Sequence, residues 1–176
     1  MTESFLGELW MFLREARATT YAGDAQPSTS STMPGFKLFA LGNRTWTYRD
    51  VYAGSRLFGG YEAVWYMARP VWHMNYRGGM IECFRHDRRI AQQAYAMLRE
   101  FLRQDSSRFE PRGGSHSAII GAKGWRYHCV QLDANDRTIA SPHWDIRDFR
   151  GKEQLVKVGE RGPCYIGYFH GGLLID

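Results

Sequence analysis

The feature that most restricts how this chain can fold is a pattern of aromatic, glycine and acidic positions that occurs twice. Phe58-x-Gly60-x-Glu62 matches Phe149-x-Gly151-x-Glu153, and Pro70-x-Trp72-x-x-x-Tyr76-x-Gly78-Gly79 matches Pro163-x-Tyr165-x-x-x-Phe169-x-Gly171-Gly172. Upstream, Trp46-x-Tyr48 matches Trp125-x-Tyr127, while Phe12-Leu13-Arg14 and Phe101-Leu102-Arg103 close two helical segments alike. So many ordered matches predict an α+β fold built by tandem duplication of a helix plus antiparallel-strand unit. The units run 1–86 and 87–176 within a single domain 1–176. One helix on a small sheet buries too little apolar surface to be stable alone, so the units must share a core. The seam between them is then the natural cleft.

Local periodicity supplies the elements. Phe5, Leu9, Phe12, Leu13 and Ala16 recur at helical spacing and predict a helix over 5–18; Ile90, Ala94, Met97, Leu98 and Phe101 predict another over 87–103, with Asp87 as its N-cap. The Pro/Ser/Thr-rich stretch 24–35 reads as a loop, as do 104–115 and 133–147. Strands are expected at 38–41, 45–52, 62–67, 71–76, 117–121, 125–132, 154–158 and 164–169, with the Gly-Gly pairs at 59–60, 78–79, 113–114 and 171–172 marking turns.

Strand alternation sorts the candidate site residues by face. Trp46, Tyr48, Asp50 and Tyr52 share one face; an acid among three aromatics sits either at the sheet margin or in a pocket that raises its pKa. The matching strand carries Trp125, Tyr127, Cys129 and Gln131, so Asp50 has no acidic counterpart. Glu62 and Glu153, two residues beyond a Phe-x-Gly step, suit a turn cap or an arginine partner. Trp72 and Tyr165 read as core aromatics, with Met74 and Tyr76 beside Trp72 and with His73 and Asn75 on the opposite face. His170 precedes Gly171-Gly172, where a ligand could approach the backbone, and imidazole titrates near neutral pH. His170 and Asp50 are therefore the candidate catalytic pair. Tyr21, Tyr48, Tyr76, Asn75, Trp72 and Glu62 are the candidate ligand-binding residues.

Composition narrows the classes. A chain of 176 residues, 44% hydrophobic and 15% aromatic, has ample material for a packed interior and is not a disordered segment. No apolar run approaches the roughly eighteen residues of a membrane span. The N-terminus lacks the basic start and cleavage site of a signal peptide, so a soluble cytoplasmic protein is expected. Cys83, Cys129 and Cys164 form no CxxC pair and are expected as buried free thiols. The histidines at 73, 86, 116, 128, 143 and 170 show no HxH or HExxH spacing, so no metal site is expected. Without a Walker loop, a GxGxxG turn or a GxSxG elbow, no cofactor is expected either. The net charge of +5 reflects arginines from Arg85 to Arg103, which read as a solvated helix face; nucleic acid is disfavoured as a partner.

Taken together, Phe12-Leu13 with Thr20-Tyr21-Ala22-Gly23, Tyr48-Arg49-Asp50, Phe58-Gly-Gly-Tyr-Glu62, Pro70-Val-Trp72-His-Met-Asn75-Tyr76-Arg-Gly78 and Tyr168-Phe169-His170-Gly171-Gly172 carry a resemblance. The chain resembles an uncharacterised bacterial and archaeal domain family often found C-terminal to a helix-turn-helix in transcriptional regulators. The resemblance implies a small-molecule sensor domain, here with only one helix ahead of it and no DNA-binding headpiece.

The sequence reading is a small-molecule-binding protein with an aromatic pocket between the units. A cofactor-independent acid/base enzyme (isomerase, cyclase or hydrolase of a small organic substrate) is narrowly favoured. A non-catalytic sensor or sequestering protein is the alternative, and a nucleic-acid or protein-interaction module using the 85–103 helix is a third. Homo-oligomerisation is left open.

Overall fold

The computed structural model of the chain describes residues 2–103, 110–112, 118–120, 124–139 and 143–175. Helix α1 spans Glu3–Thr19, capped where the Thr2 side chain accepts the Phe5 N–H at 3.3 Å. Helix α2 spans Arg88–Leu102, capped by Asp87, which accepts the Ile90 N–H at 3.0 Å. The strands are β1 (Ser28–Thr29), β2 (Lys37–Gly42), β3 (Trp46–Gly54), β4 (Leu57–Tyr66), β5 (Arg69–Met80), β6 (Ala118–Ile120), β7 (Trp125–Leu132), β8 (Thr138–Ile139), β9 (Asp148–Lys157) and β10 (Tyr165–Leu173).

All ten strands belong to one sheet, ordered β1-β2-β3-β4-β5-β10-β9-β7-β6, with β8 on β7. Every pairing is antiparallel. This overturns the expected tandem duplication of a helix plus antiparallel-strand unit: the chain is one large sheet with two helices, not two repeated units meeting at a seam. Where units were expected to abut, β5 and β10 pair from Trp72–Leu173 to Met80–Tyr165 without interruption. The matching motifs have a local cause instead. Phe58, Gly60 and Glu62 alternate along β4, and Phe149, Gly151 and Glu153 along β9; in both strands they are the positions that turn toward the helices. A shared inner surface makes the same demand on each.

Both helices lie on that inner face. Leu9, Leu13 and Ala16 of α1 and Ala94, Leu98 and Phe101 of α2 are fully buried there. Aromatic rings tie helices to strands: Phe12 stacks on Trp46 at 5.6 Å and Phe101 on Tyr127 at 4.7 Å. Each such large side chain contributes about 1.5–3 kcal/mol through burial alone. Trp72, expected as core, is fully buried and stacks on Phe149 at 5.8 Å.

The Gly-Gly pairs at 59–60, 78–79 and 171–172 are not turns; they lie inside β4, β5 and β10. The strands consequently run longer than their hydrophobic stretches predict. Packing explains the glycines. A Cβ at Gly60 would lie 2.8 Å from the Tyr76 hydroxyl, one at Gly78 would lie 2.9 Å from that of Tyr165, and one at Gly167 only 2.6 Å from the same oxygen. Inner-face glycines thus make room for tyrosines that lie along the sheet. Gly113-Gly114, His116 and most of 104–115 fall outside the described residues. Cys129 and Cys164 are buried thiols, whereas Cys83 is exposed, standing in a short 3-10 turn. Among the described residues no helix is long and apolar enough to cross a membrane.

Candidate functional site

Space made by the glycines is filled by charge. Glu62 on β4 and Glu153 on β9 both point inward and are each 2% exposed, almost fully removed from water. Arg17, one turn beyond Leu13 on the apolar face of α1, donates from Nε to Glu62 at 2.8 Å. Arg112 spans the two acids: Nη1 lies 3.5 Å from Glu62 and Nη2 lies 3.2 Å from Glu153. Tyr165 donates to Glu153 Oε1 at 2.8 Å, and the Tyr127 hydroxyl sits 2.9 Å from Oε2 and 2.7 Å from the Arg112 carbonyl. Isolated charges here would be costly, and mutual pairing offsets the desolvation. Burial opposes the Arg112 charge, yet Glu153, Tyr165 and Glu62 more than offset it and hold the guanidinium well above its ordinary pKa. Burial, then Glu153, raises Tyr165 far above the usual phenol range.

Beside this network lies a cavity of about 180 Å³, bounded by β3, β4, β5, α2 and the segment after α1. Tyr21, Tyr52, Phe58, Tyr76 and Tyr95 form aromatic walls, and Asp50, Lys37, Arg99 and Arg112 supply the charged groups. Asp50 faces inward because β3 alternates Trp46, Tyr48 and Asp50 in, Arg49 out. Its Oδ1 accepts the Tyr76 hydroxyl at 2.5 Å, while Oδ2 has no hydrogen-bond partner among the described residues. Desolvation, then the nearby Glu62, pushes the Asp50 carboxyl up to about 7, against the opposing pull of Tyr76, Arg112 and Arg17. Tyr76 shifts the other way in function: burial and then Asp50 raise it well above 10, so it keeps its proton and donates. The result is a carboxyl that gains and loses a proton near neutral pH at the wall of an aromatic cavity.

Of the residues singled out in the sequence, Tyr21, Asp50 and Tyr76 meet at this cavity. Tyr48 is fully buried next to Asp50 on the same strand face, with its hydroxyl unpartnered among the described residues. Glu62 belongs to the arginine network, and Trp72 sits in the core with the Arg17 guanidinium 5.6 Å from its ring. His170 and Asn75 are elsewhere. They face each other across the β5–β10 pair, on the outer face, where His170 is exposed. The neighbouring residues Tyr76 and Phe169 turn inward, so the sheet itself separates His170 from Asp50. A proton cannot pass directly between the two. His170 lines a separate outer-face hollow of about 320 Å³ with Arg77, Arg150 and Tyr168.

Sequence reasoning missed Arg17, Arg112, Tyr52, Phe58, Tyr95, Arg99 and Lys37. Arg17 left a signal, a cation on the apolar stripe of α1. Arg112, following Pro111 in an irregular segment, left none. Among the described residues no three His, Cys, Asp or Glu side chains are grouped to hold a metal ion.

Comparison with curated proteins finds no match, and comparison with solved structures finds none. A family model described as "Domain of unknown function (DUF5680)" matches residues 50–174, from the acid at the cavity wall to the end of the last strand, and the chain belongs to that family.

Proposed function

We propose that the protein binds a small organic molecule in the cavity beside Asp50, and that Asp50 exchanges a proton with it as the general acid or base of a cofactor-independent isomerase, cyclase or hydrolase. The observation that carries this reading is the Asp50 carboxyl itself: buried, held on one oxygen by Tyr76, and poised near pH 7 at an aromatic wall. The volume supports a small ligand, since a cavity of about 150 Å³ accommodates benzene. One substituted ring therefore fits about 180 Å³.

A second reading, a non-catalytic sensor or sequestering protein of the kind that serves transcription regulators, uses the same cavity. It draws support from the position of His170, which faces Asn75 on the outer side of the sheet, away from the cavity that Asp50 lines. A thermal-shift screen of single-ring compounds, followed by NMR of each binder in deuterated water, separates the two. Acid/base chemistry predicts deuterium uptake or turnover that falls at least about a hundredfold in Asp50→Asn. A binder recovered unchanged and undeuterated assigns the protein to the second reading, and no stabilising compound at all removes both.

A further inference from the structure

A second, more polar chamber of about 460 Å³ adjoins the cavity beside Asp50. Tyr21, Lys37, Tyr52 and Arg99 border both and form the neck between them. Charge along this route is uneven. At the inner end Arg17 and Arg112 are matched by Glu62 and Glu153, so that network is neutral as a whole. At the neck stand two cations that no carboxylate pairs among the described residues. Lys37 is exposed, its Nζ 5.8 Å from the Tyr52 ring; Arg99 is half-buried near the end of α2. In the outer chamber Arg103 is engaged by the Ala22 carbonyl, and Asp24 lies on the rim.

A half-buried guanidinium that borders a cavity, with no counter-ion among the described residues, has given up hydration that a bound anion can replace. An anionic ligand group restores the balance through charge-assisted hydrogen bonds, for which the planar guanidinium fork is well shaped. We propose that the ligand is a single-ring aromatic carboxylate, its acid group held at the neck by Arg99 and Lys37, and its ring directing a hydroxyl or amino substituent at Asp50. The inference rests on the reading of this cavity as the ligand site. Tyr52 and Phe58 flank the ring, and the unpartnered Asp50 oxygen meets the polar substituent.

Isothermal titration with three isosteric probes tests this: 4-hydroxybenzoate, neutral 4-hydroxybenzamide and cationic 4-hydroxybenzamidine. The anion is expected to bind at least about tenfold tighter than the amide at low salt, with the gap closing as salt is added. In Arg99→Ala the gap shrinks below about threefold. Amide or amidine binding as tightly as the anion, with an affinity altered by Asp50→Asn, overturns the anionic ligand while the cavity reading stands. A tenfold preference that survives in both Arg99→Ala and Lys37→Ala overturns the neck as its source. If none of the three probes binds at millimolar concentration while the thermal-shift screen yields another binder whose affinity Asp50→Asn alters, the inference falls and the cavity reading stands.

Discussion

The two faces of the sheet use the same kinds of residue to opposite ends. On the inner face, Asp50, Glu62 and Glu153 are packed under helices with arginines and tyrosines, and each charge must be balanced or suppressed. On the outer face, His170, Arg77, Arg150 and Tyr168 stand around an open hollow, and Arg150 pairs there with Asp136, at 3.3 Å and exposed. Neighbouring residues on one strand can belong to either regime; Tyr76 and Asn75 do. The environment of a side chain in this fold therefore follows the parity of its strand position more than its residue type.

The sharpest way to break the contrast is to remove one inner cation. Arg112→Leu leaves Glu153 buried without its counter-ion and is expected to cost about 3–5 kcal/mol in urea unfolding. The matching outer change, Arg150→Leu, is expected to stay within about 0.5 kcal/mol.

Next in size is the pH response of Asp50. Its carboxyl titrates near 7 in the folded chain and near the ordinary 3.8 when unfolded. Between those values the folded state holds the extra proton, so stability falls as pH rises and levels off above about 7. Asp50→Asn removes this slope. The variant should gain on the wild type by up to about 4 kcal/mol from pH 4 to pH 8, at about 1.4 kcal/mol per unit. Parallel stability curves for the two proteins would show that Asp50 is not suppressed by its surroundings.

Smaller again is a pair of adjacent glycines. Gly60→Ala drives a methyl against the Val51 carbonyl oxygen, 2.7 Å from the Tyr52 Cβ and 2.8 Å from the Tyr76 hydroxyl, and is expected to cost about 1–3 kcal/mol. It should also weaken ligand binding, because Tyr76 must move off Asp50. Gly59→Ala meets nothing nearer than 3.5 Å and should change stability by less than about 0.5 kcal/mol. The smallest effect belongs to His170→Ala, expected to leave both stability and ligand affinity within error; a loss of binding would connect the two faces.

Much of the inner face was legible before the structure. Period-two alternation grouped Tyr48 with Asp50 on one strand and Tyr76 with Trp72 on another, and helical spacing located both helices to within a few residues. The continuous sheet was not legible, because strand pairing across distant segments leaves no mark in local periodicity. The paired motifs then suggested two units, when the common cause is one inner surface needing room for tyrosines. The separation of His170 from Asp50 was not legible for a related reason. A histidine before Gly-Gly looks like a turn residue near a ligand, but β10 continues through those glycines and carries His170 outward. Arg112 was invisible because its role depends on acids brought from two strands.

The β5–β10 pairing has a consequence for how the chain acquires its shape. Trp72 meets Leu173, and Tyr76 meets Phe169, so the middle of the sheet joins residues more than half the chain apart. Contacts of such wide sequence separation form slowly, since loop closure must come first. Until β10 arrives, β5 presents a bare hydrogen-bonding edge of twelve residues, the kind of template on which incomplete chains aggregate. The strand that seals the centre of the molecule is thus the one that follows all its described neighbours in chain order.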